Sequence, residues 1–170
     1  MQSTPGRARQ LDRGWRASSA EVVVFLHADS RLPGNWAASI GNVLADPAVV
    51  GGAFRLGFDA SGALFRVVEW VVRARVFCFG LPYGDQAIFV RRRILEAIGG
   101  VPSAIIMEDL DLIREMKGRG RLALLPARVT TSARRYRDGG VWRTLGTHAV
   151  ALMAWRLGVG REWIAGWCGR

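Results

Sequence analysis

The sequence predicts an α/β layer structure with at least some parallel pairing. Three observations lead there. Val22-Val23-Val24-Phe25-Leu26 is apolar on consecutive positions, the pattern of a strand buried on both faces of a sheet. Extended and helical patterns then alternate along the chain. At 170 residues, half of them hydrophobic, the chain can also bury a sizeable core as one domain.

Each element has its own signal. Gly6–Ala20 is expected to hold a short helix, with Leu11 and Trp15 on one face. The strand at Glu21–His27 follows. Pro33–Ala45 reads as a helix with Trp36, Ile40 and Leu44 in register, and Pro47 ends it. Val49–Phe58, which contains Gly51 and Gly52, resumes an extended pattern. Leu64–Phe79 is amphipathic and helical. The glycine-bearing stretch PYGDQ leads into a short strand at Ala87–Arg91, and Arg92–Ile98 is a brief helix closed by Gly99-Gly100. Glu108–Lys117 is a helix whose Leu112, Ile113 and Met116 share a face. Leu122–Leu125 and Val129–Ser132 read as two short strands. Gly140–Leu157 and Glu162–Trp167 read as closing amphipathic helices. No repeat or low-complexity linker divides residues 1–170.

The formal net charge is +10, and Lys117 is the only lysine. Such a balance attracts phosphates, acidic lipid headgroups or nucleic acid, although coding bias accounts for the arginine content equally well. Cys78 and Cys168 are too few and too far apart for a zinc site or disulfide framework, which points to a reduced compartment. MQSTPGRARQLDRGWR has no apolar core and is not a signal peptide. The most apolar long segment, Gly62–Leu81, is interrupted by Arg66, Glu69, Arg73 and Arg75 and is not expected to cross a membrane.

Three acidic points carry the candidate chemistry. Asp29 lies just past the end of the first strand, where ligands of open α/β sheets sit. A carboxylate there can hold a hard divalent cation that neutralises a diphosphate, with His27 two positions before it. The competing reading is a turn-shaping Asp29 or Ser30. Asp85 and Gln86 can fix sugar hydroxyls while Gly84 lets the backbone approach closely, or they simply form a turn. Glu108 and Asp109 open a helix, where acids meet the helix dipole favourably. A carboxylate at that place, facing a crevice, is also a plausible general base. Asp111 points roughly the other way around the same helix.

The order of these points, together with the stretches FLHADSRLP, PYGDQAIFVRR, IGGVP, IMEDLDL and TSARRYRDGGVWRT, resembles a family 2 glycosyltransferase of the GT-A fold. The likeness is greatest to the branch associated with arsenosugar biosynthesis. It implies a Rossmann-type mixed, mainly parallel sheet flanked by helices. It also implies that the sheet is N-terminally incomplete, because relatives begin with strands that seat the nucleotide base and nothing here corresponds to them. By the resemblance, Asp29 meets a Mg2+ or Mn2+ ion on the nucleotide-sugar diphosphate, and His27 stands where many relatives have a first aspartate. Asp109 is the catalytic base with Glu108 supporting it, Asp85 and Gln86 line the sugar and acceptor side, and Arg7 approaches the nucleotide. The implied reaction is an inverting displacement at the anomeric carbon, without a covalent intermediate.

The expected partners are a nucleotide-sugar, an unknown acceptor hydroxyl and a second copy of the chain. A peripheral membrane contact is expected through the helices from about residue 140, which mix Trp142, Trp155, Trp163 and Trp167 with arginines. Packing of those helices over the sheet, or against another copy, is the alternative. The expected location is the cytoplasm, at the inner face of the membrane if the acceptor is lipid-linked. Two rival functions remain at this point. One is a non-catalytic interaction module that pairs with another chain. The other is a nucleic-acid-binding domain, motivated by Arg91-Arg92-Arg93 and Arg134-Arg135 but accompanied by no recognised nucleic-acid motif.

Overall fold

A computed structural model describes residues 5–168. The chain runs α1 (Arg7–Arg16), β1 (Val22–Phe25), β2 (Ser30–Arg31), α2 (Trp36–Leu44), β3 (Val49–Phe58) and α3 (Ala63–Phe79). A 3₁₀ turn at Gly84–Gln86 leads into β4 (Ile88–Arg91), then α4 (Arg92–Ala97), α5 (Glu108–Lys117), β5 (Arg121–Thr131), α6 (Arg134–Gly139), α7 (Val141–Arg156) and α8 (Arg161–Trp167).

The five strands form one mixed sheet in the order β1-β4-β3-β5-β2. The expectation of a mainly parallel sheet is corrected here. Only β3 and β5 pair in parallel, while β1–β4, β3–β4 and β2–β5 are antiparallel. The reason lies after β3: the chain re-enters the sheet through the Gly84–Gln86 turn at the edge it had left, so β4 must run back against its neighbours. With β4 reversed between them, β1 and β3 share a direction, and β5 joins them. The carboxyl ends of all three strands therefore open on one side.

β3 is the spine, with nine of its ten residues buried. A Cβ at Gly51 would lie 2.9 Å from the Cα of Val90, and one at Gly52 would strike the carbonyl of Ala123. The glycine pair thus lets β4 and β5 close on β3 from both sides. β5 is one strand rather than the two expected. Pro126 cannot donate to the ladder, and the register steps from Phe54↔Leu125 to Arg55↔Arg128, leaving Pro126 and Ala127 in an irregularity that does not end the strand.

Both faces of β1 are covered, as its apolar run implies. Val23 and Phe25 pack with α1, α4 and α5, while Val22 and Val24 pack with Ile40 of α2. Yet β1 pairs only with β4 among the described strands, and its edge position leaves Val22, Val23 and Val24 half-buried. A third cluster joins Leu56 and Phe58, at the end of β3, to Val68, Val72 and Val76 of α3 and to Tyr136. Two short elements carried too little pattern to be read: β2 has two residues and α6 has six. No described helix is long and apolar enough to cross a membrane.

Candidate functional site

The register of β1 against β4 builds the site. Phe25 pairs with Ile88, so the end of β1 lies beside the start of β4. The loop bearing His27 and Asp29 therefore meets the turn bearing Gly84, Asp85 and Gln86. The first loop is pinned by the hydroxyl of Ser30, 2.9 Å from that of Thr131, and by the Ser132 amide donating to the Asp29 carbonyl at 3.2 Å. The start of α5 closes the third side, where the Gly84 amide donates to Asp109 Oδ2 at 2.7 Å. The Leu110 amide donates to Asp109 Oδ1 at 2.9 Å. The three acidic points read from the sequence come together in one cleft.

Arg7, the first residue of α1, ties the cleft together. Its guanidinium donates to His27 Nε2 at 2.5 Å and meets Glu108 Oε1 at 2.6 Å, with Asp109 Oδ2 at 3.7 Å. α1 is held for this task by Asp12, which accepts from Trp15 Nε1 at 2.8 Å and from the Val101 amide at 3.0 Å. Although burial works against it, hydrogen bonds from Arg16, Trp15 and Val101 hold the Asp12 carboxyl below its usual range. His27 is pushed below its ordinary value by burial and then by Arg7, against the opposing pull of Asp29 and Asp109. A neutral imidazole is what an acceptor of the Arg7 hydrogen bond requires. A Cβ at Gly84 would collide with the end of the Arg7 side chain and lie 3.0 Å from His27 Nε2, so any larger residue there displaces Arg7.

Deeper in the cleft stand residues that the motif reading missed. The Arg75 guanidinium lies 3.4 Å over the Tyr83 ring and donates to Gln86 Oε1 at 3.3 Å. Gln86, 1% exposed, also donates to the Phe54 carbonyl at 3.0 Å and accepts from the Tyr83 amide, so it braces the turn. Asp85 differs: its Oδ1 is buried and has no hydrogen-bond partner among the described residues, and neither has Arg75 Nε. Burial raises the Asp85 carboxyl, Arg75 opposes this and Asp109 adds to it. The rings of Tyr83 and Tyr136 both lie edge-on to His148, at 6.2 and 6.3 Å. Burial pushes Tyr136 to about 12 and raises Tyr83, so both phenols keep their protons at neutral pH. One signal for these residues was readable: Arg75 is one of four charges that interrupt the apolar run Gly62–Leu81.

Backbone strain marks the same place. Among the described residues, Ala87 and Met107 are the non-glycine residues with positive φ, at 49° and 65°. One directly follows Gln86 and the other directly precedes Glu108. Such conformations cost on the order of 1 kcal/mol or more each and cluster where function fixes the backbone.

As for a cation, no three His, Cys, Asp or Glu side chains among the described residues gather into a cage for it. A divalent ion carried on a diphosphate needs only one or two carboxylates, the rest of its shell being phosphate and water. Asp29, exposed and close to His27, fits that role. His27 does not, because its Nε2 is taken by Arg7.

Two surface expectations also meet the structure. Arg91, Arg92 and Arg93 donate to backbone carbonyls, among them those of Val49, Ala20 and Pro47. Of the C-terminal tryptophans, Trp142, Trp163 and Trp167 are exposed, whereas Trp155 donates to Asp111 at 3.0 Å. Asp111 faces away from the cleft and also accepts two bonds from Arg161 Nη2, at 2.7 and 2.8 Å, which fastens α8 to α5.

No family model and no curated protein matches the chain. Among solved structures, a mycobacterial protein described only as such is similar over 78% of this chain at 19% identity, with a TM-score of 0.44. The chain spans 43% of that protein's length.

Proposed function

We propose that the chain is a metal-dependent inverting glycosyltransferase, or the acceptor-side portion of one, acting between a nucleotide-sugar and an acceptor hydroxyl. One observation carries the reading. Asp29, Asp85 and Asp109 come from three distant segments, yet they meet at the carboxyl end of β1 around His27 and the half-buried Arg7. The order of these motifs also resembles the GT-A pattern, and the shared direction of β1, β3 and β5 is compatible with such a sheet. A divalent cation held by Asp29 and the substrate diphosphate would neutralise charge on the leaving group.

The chain's own groups have separable tasks. Asp109, held by the Gly84 and Leu110 amides, takes the proton of the attacking hydroxyl. Arg7 balances the buried Glu108 at 2.6 Å and lies 3.7 Å from Asp109 Oδ2, which holds the two acids on either side of one guanidinium. Asp85 Oδ1 offers an unfilled acceptor to a sugar or acceptor hydroxyl. Arg75 and Tyr83 form a stacked wall behind it.

The test is calorimetric titration of the chain with UDP, GDP and dTDP, each with and without manganese. Metal-dependent binding of one nucleotide, lost in Asp29→Ala and kept in Asp109→Asn, is the expected result. Metal-dependent binding that survives Asp29→Ala would remove Asp29. Unchanged nucleotide release from a bound donor by Asp109→Asn would remove Asp109 as the base. Absence of binding to all three nucleotides would favour the non-catalytic interaction module.

A further inference from the structure

We propose a second site: the pocket between α3 and the β3–β5 pair receives the phosphate headgroup of an anionic phospholipid, with the outer face of α3 lying on the membrane surface. The pocket has a volume of about 180 Å³ and is lined by Arg55, Arg66, Arg73 and Arg128 around the single carboxylate of Glu69. Glu69 takes Arg66 at 2.7 Å and Arg128 at 3.6 Å, so four arginines share one counter-charge. Arg73 and Arg55 have no carboxylate partner among the described residues, and Arg55 Nε is buried without any hydrogen-bond acceptor.

Two of these arginines stand side by side. Arg55 and Arg128 are register partners on the parallel strands β3 and β5, and of the two only Arg128 reaches Glu69. Like charges so close repel one another. A phosphate between them would remove the repulsion and accept from the stranded Nε, because guanidinium groups match phosphate oxygens in charge and geometry.

The surroundings of the pocket select a lipid over a free phosphate. Trp70, which lines the pocket, is 67% exposed, and Phe77 is 89% exposed on the same helix. Leu64 and Val67 continue the exposed apolar surface, interleaved with Arg66 and Arg73. A soluble anion needs no such rim. A tryptophan-bearing apolar face flanked by arginines suits the boundary between headgroups and acyl chains. This site does not depend on glycosyl transfer and differs from the C-terminal tryptophans in position.

Flotation of the full chain with vesicles tests it, using phosphatidylcholine alone and phosphatidylcholine with phosphatidylglycerol. Binding to the anionic vesicles only is expected. Two arginines at a membrane surface are together worth roughly thirtyfold in affinity, which R55Q/R73Q should lose. R93Q/R119Q, the same charge change elsewhere, should bind as wild type. If R55Q/R73Q fails to fold, R73Q alone, at an exposed position, should lose roughly fivefold, and W70S should weaken binding as well. Equal binding to neutral vesicles, or anionic binding indifferent to R73Q and W70S, overturns the site. Binding of inorganic phosphate with no vesicle association assigns the pocket to a soluble anion instead. A dimer that W70S dissolves, again without vesicle association, assigns the face to a second copy.

Discussion

The Arg7–Glu108 pair gives the most direct test of how the cleft is assembled. Glu108 is 1% exposed and Arg7 is 27% exposed, with 2.6 Å between their charged atoms. Removing one member of a buried pair typically costs about 3–5 kcal/mol, because a charge is left in low dielectric, whereas replacing both by apolar groups is often nearly neutral. The two single changes should therefore be unequal. Arg7→Met leaves the more deeply buried charge without its cation and should cost about 3 kcal/mol. Glu108→Gln leaves Arg7 partly solvated, near Asp109 and still able to bond the amide oxygen, and should cost about 1–2 kcal/mol. The double variant should recover part of the loss, giving a coupling of about 1–3 kcal/mol. Urea unfolding followed by tryptophan fluorescence reads all four proteins, since Trp15 sits on the same helix as Arg7. Additive losses, with coupling below about 0.5 kcal/mol, would show that α1 is held over the cleft by its apolar contacts alone.

Four further outcomes are expected. Gly84→Ala should keep the fold but displace Arg7 from His27, seen as a rise in the His27 pKa by NMR; an unchanged His27 titration would refute the steric role. His27 titrates below 6.5 in the folded chain, so the unfolded chain binds the proton more tightly and stability falls as pH drops below 6.5. The slope is at most about 1.4 kcal/mol per pH unit. Asp85, raised from 3.8, acts with the opposite sign, so the readout is the difference between wild type and His27→Gln, and parallel curves would contradict the assignment. Asp12 is held below 3.8, so its contribution is present above that pH and lost as pH falls through the folded value; Asp12→Asn should flatten the acid limb of unfolding. Asp111→Asn should loosen α8, which proteolysis would show as cleavage near Arg161, while nucleotide binding in the cleft stays unchanged.

Much of the fold was legible because the core pattern is strong. β3 and α5 carry the boundaries read from the sequence, Val49–Phe58 and Glu108–Lys117. Pairing direction was not legible. Strand patterns report which faces are buried, and the valines of β1 are covered on both faces whether the neighbour runs with or against them. The direction of β4 is set instead by where the chain re-enters the sheet, a tertiary fact. The strand patterns at Leu122–Leu125 and Val129–Ser132 read as two strands, yet the step in register between β3 and β5 carries them through Pro126 as one.

The site was legible where short motifs hold carboxylates and illegible where long side chains arrive from elsewhere. α3 shows why. Arg73 and Arg75 are two residues apart, about 200° around a helix, so one lines the anion pocket and the other lies over Tyr83 and reaches Gln86, which stands between the two sites. In the sequence both are interruptions of an apolar run, and both count equally against a membrane span. Their separate uses follow only from what the two sides of α3 face: β3 and β5 with unmatched arginines on one side, and the stacked Tyr83 with the unfilled Asp85 carboxylate on the other. If both sites act as proposed, α3 is the element that sets the distance between a membrane surface and the sugar-transfer cleft. A variant that abolishes vesicle binding should then leave metal-dependent nucleotide binding intact, because no residue of the arginine pocket touches Arg7, Asp29 or Asp109 in any ion pair or hydrogen bond among the described residues.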